Sequence, residues 1–191
     1  MTCLKVVILF CLGNFVAGKT TTSCKNVKGV SNFDFDSFVN AQYRFVIVPD
    51  VEDTKVIQDS TLTFIGIKND WFMILTGNLK NGSQIFDDYK IDYYDGPNIY
   101  LTQYKDGVRG NIQRHYTVIG YEPGKYIQLY LCQQNLIEKY KIDLRFTLGF
   151  GDVRLTKDDY EQLIRNDKRY RFVGRIRYIS GKRILPTERE L

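Results

Sequence analysis

His115 is the only imidazole in this 191-residue chain, and it sits in a strand-like segment. Nucleophilic catalysis of the Ser-His-Asp or Cys-His kind needs a base held beside a nucleophile, and here one ring must serve for the whole molecule. Paired carboxylates do not make up the deficit. Asp87 and Asp88 are adjacent in another strand-like segment, where neighbours point to opposite faces, so they form no acid/base couple. Asp158 and Asp159 are adjacent too, at the start of a helix-like segment. No catalytic residue is assigned, and an enzyme is not expected.

The cysteines point to covalent structure instead. Of the four, Cys3 and Cys11 fall within Met1–Gly18, which has the parts of a secretory leader. Lys5 is its charged start, Val6 to Phe10 and Leu12 its apolar stretch, and Val16, Ala17 and Gly18 its small cleavage residues. The apolar run is too short to span a bilayer, so the protein is expected to be extracellular and not transmembrane. Cys24 and Cys132 remain, and in an oxidising compartment two cysteines allow one intramolecular pairing. Oxidised, neither serves as nucleophile or metal ligand, and no metal site is expected. Asn81-Gly82-Ser83 is an N-glycosylation sequon at a turn, which makes Asn81 the expected glycan site.

Residues 19–191 are the length of one domain with a sizeable core. The net charge of +5 drops by one with Lys5, and the basic residues crowd the C-terminal end. Arg169, Arg171, Arg175 and Arg177 alternate with Tyr170, Phe172, Ile176 and Tyr178 and read as a basic strand face. Such a face suits a polyanion or a host protein. Nucleic acid is not expected outside the cell.

After Asn40 the apolar pattern has period two almost throughout. Strands are expected around Tyr43–Ile47, Thr61–Ile67, Trp71–Leu75, Ile85–Tyr94, Ile99–Tyr104, His115–Gly120, Lys125–Cys132 and Tyr140–Phe150. Asn81-Gly82, Asp95-Gly96-Pro97, Asp106-Gly107 and Glu122-Pro123-Gly124 are turns, the first a tight hairpin with positive φ at both residues. One helix follows, Thr156 to Asn166, with Thr156 as N-cap, and then the basic strand. The fold class is all-β: an eight-stranded antiparallel up-and-down barrel with a C-terminal helix and a further strand. A two-sheet sandwich is the alternative. Eight strands leave an interior just wide enough for a small ligand. The alternate positions expected to line it are Ile91 and Tyr93, Ile99 and Leu101, Ile127, Leu129 and Leu131, and Tyr140, Ile142, Leu144 and Phe146.

Two stretches carry a resemblance. Cys24-Lys25-Asn26-Val27-Lys28-Gly29-Val30-Ser31-Asn32-Phe33-Asp34-Phe35-Asp36-Ser37-Phe38 resembles the segment that leads into the first strand of insect lipocalins of the bilin-binding and apolipoprotein D-like branch. Val118-Ile119-Gly120-Tyr121-Glu122-Pro123-Gly124-Lys125-Tyr126 through Cys132 resembles that family's strand–turn–strand motif. The family's cysteines at these two places pair, which implies a Cys24–Cys132 disulfide. Salivary lipocalins of blood-feeding bugs, triabin- and nitrophorin-like, share the cysteine placement. The family's Gly-x-Trp appears here as Asn40-Ala41-Gln42, so the tryptophan of the barrel floor is missing. Only Arg154 stands near the place of the basic residue that packs on it. The resemblance implies a secreted carrier of a small hydrophobic ligand such as a lipid or pigment. The second implied reading is a salivary or venom protein acting on a host protein or mediator in haemostasis. His115 lies away from the position that ligates haem in some salivary members, so no cofactor is expected, haem included.

Overall fold

Apolar residues at every second position make strands, and the turn residues between them set where each strand reverses. The computed structural model describes residues 24–135, 141–172 and 174–179. The leader lies outside them, as do Lys182, Arg183 and Arg189. In chain order the elements are α1 (Phe35–Val39), β1 (Tyr43–Pro49), α2 (Glu52–Lys55), β2 (Ile57–Ile67), β3 (Asp70–Leu79), β4 (Gln84–Asp95), β5 (Asn98–Lys105), β6 (Val108–Glu122), β7 (Tyr126–Asn135), β8 (Lys141–Phe150), α3 (Lys157–Arg169) and β9 (Ile176–Tyr178). From β2 to β8 each strand pairs antiparallel with the next, and β1 pairs with both β8 and β2. Eight strands therefore close into a barrel, and the sandwich is excluded. β9 adds to the far end of β1 through Ile47↔Tyr178, Val48↔Arg177 and Pro49↔Ile176.

One end of the barrel is plugged. α1 is a single turn begun by Asp34, whose carboxylate accepts from the Asp36 N–H at 3.1 Å and the Ser37 hydroxyl at 2.5 Å. It drives Phe38 between Phe64, with ring centres 4.5 Å apart, and Tyr43 at 5.3 Å, while Phe33 bridges Phe38 and Tyr121. These rings fill the floor. Trp71 lies in β3 against Gly66, and Arg154 is exposed. The other end is crossed by α2, in the β1–β2 connection. Neither α1 nor α2 was expected from the sequence, because one helical turn is too short to show a 3.6-residue period.

Outside the barrel, Thr156 caps α3 as its type suggests, in a reciprocal box with Asp159. Tyr160 and Leu163 pack on Val46, Ile47 and Tyr126. Asn166 donates to Gln128 Oε1 at 2.9 Å, and Arg145 pairs with Asp167 at 2.5 Å. Gly120 is required here: a Cβ would stand 2.8 Å from the Asn166 amide nitrogen.

Two expectations need correction. The basic C-terminal strand does not exist as one face. α3 runs on to Arg169, Arg171 takes φ +52° in the turn that follows, Arg175 precedes β9, and only Arg177 lies within a strand. The helix end turns back because Phe172 packs on Tyr130 under Lys25, whose ammonium is 4.8 Å from the ring centre. The Asn81-Gly82 turn also differs. Only Gly82 has positive φ, and Asn81 Oδ1 instead accepts from the Ser83 N–H at 3.0 Å, giving a four-residue loop.

The Cys24–Cys132 disulfide is formed, with Cα atoms 5.8 Å apart and a sequence separation of 108. It fixes the N-terminal segment along the outside of β7 and β6. There Lys25 N–H donates to Tyr130 Oη at 2.8 Å and Val30 N–H to Val118 O at 2.9 Å. Because the bond closes so long a loop, replacing both cysteines by alanine is expected to lower the unfolding free energy by roughly 2–5 kcal/mol. Urea denaturation of the oxidised protein and the double variant measures it.

Candidate functional site

The barrel interior is where the alternating residues converge. β6 sends Ile112, Arg114, Tyr116 and Val118 inward, and β7 sends Ile127, Leu129, Leu131 and Gln133, all of them buried. β8 faces them with Leu144, Phe146 and Leu148. Toward the plugged end the filling is apolar and aromatic. Below α2 it is mixed, and there a cavity of about 50 Å³ remains. Its lining combines apolar residues, among them Phe45, Ile57, Leu131, Leu144 and Phe146, with the polar Thr54, Ser60, Arg114, Tyr116 and Gln133. A drug-sized ligand needs roughly 300–1,000 Å³, so this conformation holds the site nearly shut.

The polar side is a built arrangement. The Arg114 guanidinium lies 4.1 Å from the centre of the Tyr89 ring, and its Nε donates to Gln133 Oε1 at 2.9 Å. Arg114 and Gln133 are opposite each other in the β6–β7 ladder. The Gln133 side chain is completely buried, and its Nε2 has no hydrogen-bond partner. Tyr89 Oη donates to Asp87 Oδ2 at 3.4 Å, and Asp87 Oδ1 accepts from Gln103 at 3.2 Å. Burial raises the Tyr89 phenol well above its ordinary range, with Asp87 adding to the effect and Arg114 opposing it. Burying a cation costs several kcal/mol, and the Tyr89 ring face, the Gln133 amide oxygen and the Tyr116 hydroxyl offset only part of that.

The lid is fastened from two sides. Thr54, buried at the end of α2, donates its hydroxyl proton to Pro49 O at 2.5 Å, and Arg177 of β9 donates to Thr54 O and Ile57 O. The arginine placed by sequence on a basic surface thus holds the cover of the barrel.

No family model and no curated protein sequence matches the chain. Solved structures do resemble it. Insecticyanin from the tobacco hornworm Manduca sexta superposes with a TM-score of 0.63 at 12% identity, over 84% of this chain and 87% of that one. The amine-binding protein of Rhodnius prolixus, in its tryptamine complex, gives 0.59 at 13% identity over 75% and 78%. Lobster apocrustacyanin A1 gives 0.57 at 13% identity over 80% and 82%. The fold is that of the lipocalins.

In this lipocalin barrel the residues singled out by alternation divide. Ile91, Ile99, Leu101, Ile127, Leu129 and Leu131 lie on the inner face, and Leu131, Leu144 and Phe146 border the cavity. Ile142 stands opposite Gln133 in the ladder, with its side chain outside the described residues, as is all of Tyr140. Tyr93 lies on the outer face. A bulge between Ile91 and Tyr93 inserts one residue and reverses the alternation, leaving Tyr93 56% exposed. Arg114 and Gln133 were not singled out, although Gln133 continues the inward row of Ile127, Leu129 and Leu131. A polar residue on an otherwise apolar face was the available signal.

His115 belongs to the outside. Its ring stacks on Tyr100 at 4.2 Å, Tyr100 stacks on Tyr93 at the same distance, and Nε2 is 3.1 Å from Asn98 Oδ1. Together with Asp92 and Arg109 these rings edge an open outer groove of about 550 Å³. Among the described residues, no group of three His, Cys, Asp or Glu side chains could hold a metal ion, and no helix is long and apolar enough to cross a membrane. Partial burial lowers the His115 pKa. The folded state therefore disfavours the imidazolium, so this residue's contribution to stability is lost as pH falls from the unfolded value, near 6.5, toward the folded one. An NMR titration of the single imidazole is expected to give a midpoint below 6.5 in the native protein and near it in urea.

Proposed function

We propose that this protein takes a small, largely apolar molecule into its barrel and carries or sequesters it outside the cell. The observation that carries the reading is the closed barrel itself. Its interior is apolar over most of its depth, one end is plugged by rings, and the other, among the described residues, is crossed by the four-residue helix α2. The tryptamine complex of the structurally similar Rhodnius prolixus protein supports small-molecule binding by such a barrel. Because the cavity is small, uptake requires the Val51–Thr54 segment to lift and the Phe45 and Phe146 rings to rotate. The ligand selects an open form of higher energy, and its apparent affinity is reduced by the rarity of that form.

Fluorescence of the neutral probe N-phenyl-1-naphthylamine tests this reading. Saturable enhancement at micromolar concentration is expected. Phe146→Ala, which removes a ring from the cavity wall, should tighten probe binding several-fold while costing roughly 3 kcal/mol of stability. No uptake by either form would leave the carrier reading without support.

One observation favours the second reading, a lipocalin that works through its surface against a host protein or mediator: an open groove of about 550 Å³ lies outside the barrel, along the Tyr93–Tyr100–His115 stack. It no longer has a basic strand face to draw on. A partner captured by the wild-type protein but not by a Tyr93→Ala, Tyr100→Ala double variant would establish it over the carrier.

Secretion and glycosylation complete the proposal. The disulfide suits an oxidising compartment, and Asn81 is exposed on the β3–β4 loop. Expression of the full chain in insect cells should release a protein that begins at Lys19. Its mass should exceed the polypeptide mass until peptide N-glycosidase treatment, and Asn81→Gln should abolish the difference.

A further inference from the structure

The polar side of the cavity has more hydrogen-bonding capacity than the protein uses. Arg114 carries five N–H donors in a planar fork; Gln133 takes one of them and Tyr116 another, which leaves donors to spare. Arg114 is 6% exposed, and among the described residues no carboxylate lies within ion-pair distance of it. Asp87, whose field reaches the guanidinium, is engaged by Gln103 and Tyr89 instead. Gln133 Oε1 is committed to Arg114, which turns the unpartnered Nε2 into a second donor on the same wall. A buried cation beside a buried orphan donor is costly to maintain. Both costs vanish if a ligand brings an anionic acceptor between them.

We propose that Arg114 and Gln133 form a head-group site for a carboxylate, so that the ligand is an amphipathic monocarboxylic acid with an unbranched or lightly substituted apolar tail. One carboxylate oxygen accepts from the Arg114 guanidinium and the other from Gln133 Nε2, a fork geometry that a single ammonium would not supply. Tyr116 stands beside the head group, and the tail lies against Phe45, Leu131, Leu144 and Phe146. Phe45, Leu131, Leu144 and Phe146 line the same cavity as the two polar residues and give the tail an apolar wall. An amine head is excluded electrostatically, because it would meet Arg114 in a space of low dielectric. This inference rests on the barrel-binding reading above and adds the chemical class of the ligand.

The test is displacement of N-phenyl-1-naphthylamine by three twelve-carbon compounds, dodecanoate, 1-dodecanol and dodecylamine, at about pH 8 so that the acid is ionised. Dodecanoate is expected to displace the probe at a concentration at least about tenfold below that of dodecanol, with dodecylamine the weakest. Arg114→Met, which replaces the buried cation by an apolar chain of similar length, should abolish the preference and leave dodecanol unchanged. Gln133→Leu, which keeps the cation, should reduce the preference by a smaller factor and guards against misfolding of the first variant. Equal displacement by acid and alcohol, or a preference that survives Arg114→Met, overturns the head-group site and leaves the barrel reading standing. Displacement by none of the three while the probe still binds overturns the head-group site alone, and failure of the probe itself to bind overturns both.

Discussion

β1 holds β8 through four residue pairs but β2 through only two, Tyr43↔Leu62 and Arg44↔Thr61, and the ring exists because of those two. An open eight-stranded sheet would expose two edges and both faces, and these strands are apolar on one face only. Closure converts that one-sided alternation into an inside. The short ladder is reinforced from below rather than along its length. Phe38 packs against Tyr43 and Phe64, one residue from each side of the seam, so the aromatic floor and the closing contact are the same structure. No tryptophan takes part in this floor, which is built from Phe33, Phe38, Tyr43, Phe64 and Tyr121.

Above the floor, two demands compete. Stability favours a filled interior, and binding requires a space that can be emptied. The described conformation leans toward filling, with a cavity of about 50 Å³ that has room for a few water molecules. The polar residues retained there do not follow from stability, because an apolar replacement of a buried ion is commonly neutral or stabilising. Their position beneath α2, bordering the cavity rather than in the deep core, is what ties them to binding.

The outer features act on the same barrel from without. The disulfide and the Lys25 and Val30 hydrogen bonds hold the N-terminal segment to the outer faces of β7 and β6. α3 covers β1, β7 and β8 through Tyr160, Leu163 and Asn166. Arg177 connects these layers to the lid. Neutralising it therefore affects the cover of the cavity before it affects any surface charge.

Strand after strand was legible in the sequence, because side chains in a strand repeat every two residues and turn residues mark each reversal. The cap at Thr156, the inward rows of β5, β7 and β8, and the loop position of Asn81 were legible for the same local reason. Phase failed at Tyr93, because a bulge is decided by how two strands meet and leaves no mark on either one alone. The basic face failed because Phe172 finds a place on Tyr130, some forty residues earlier, and bends the chain there. Arg114 and Gln133 could be read as polar residues on inward rows. That they face each other across one ladder, one over the Tyr89 ring and the other with a donor to spare, depends on register between β6 and β7. Local spacing determines which face a residue takes; only the closed sheet determines which residue it meets there.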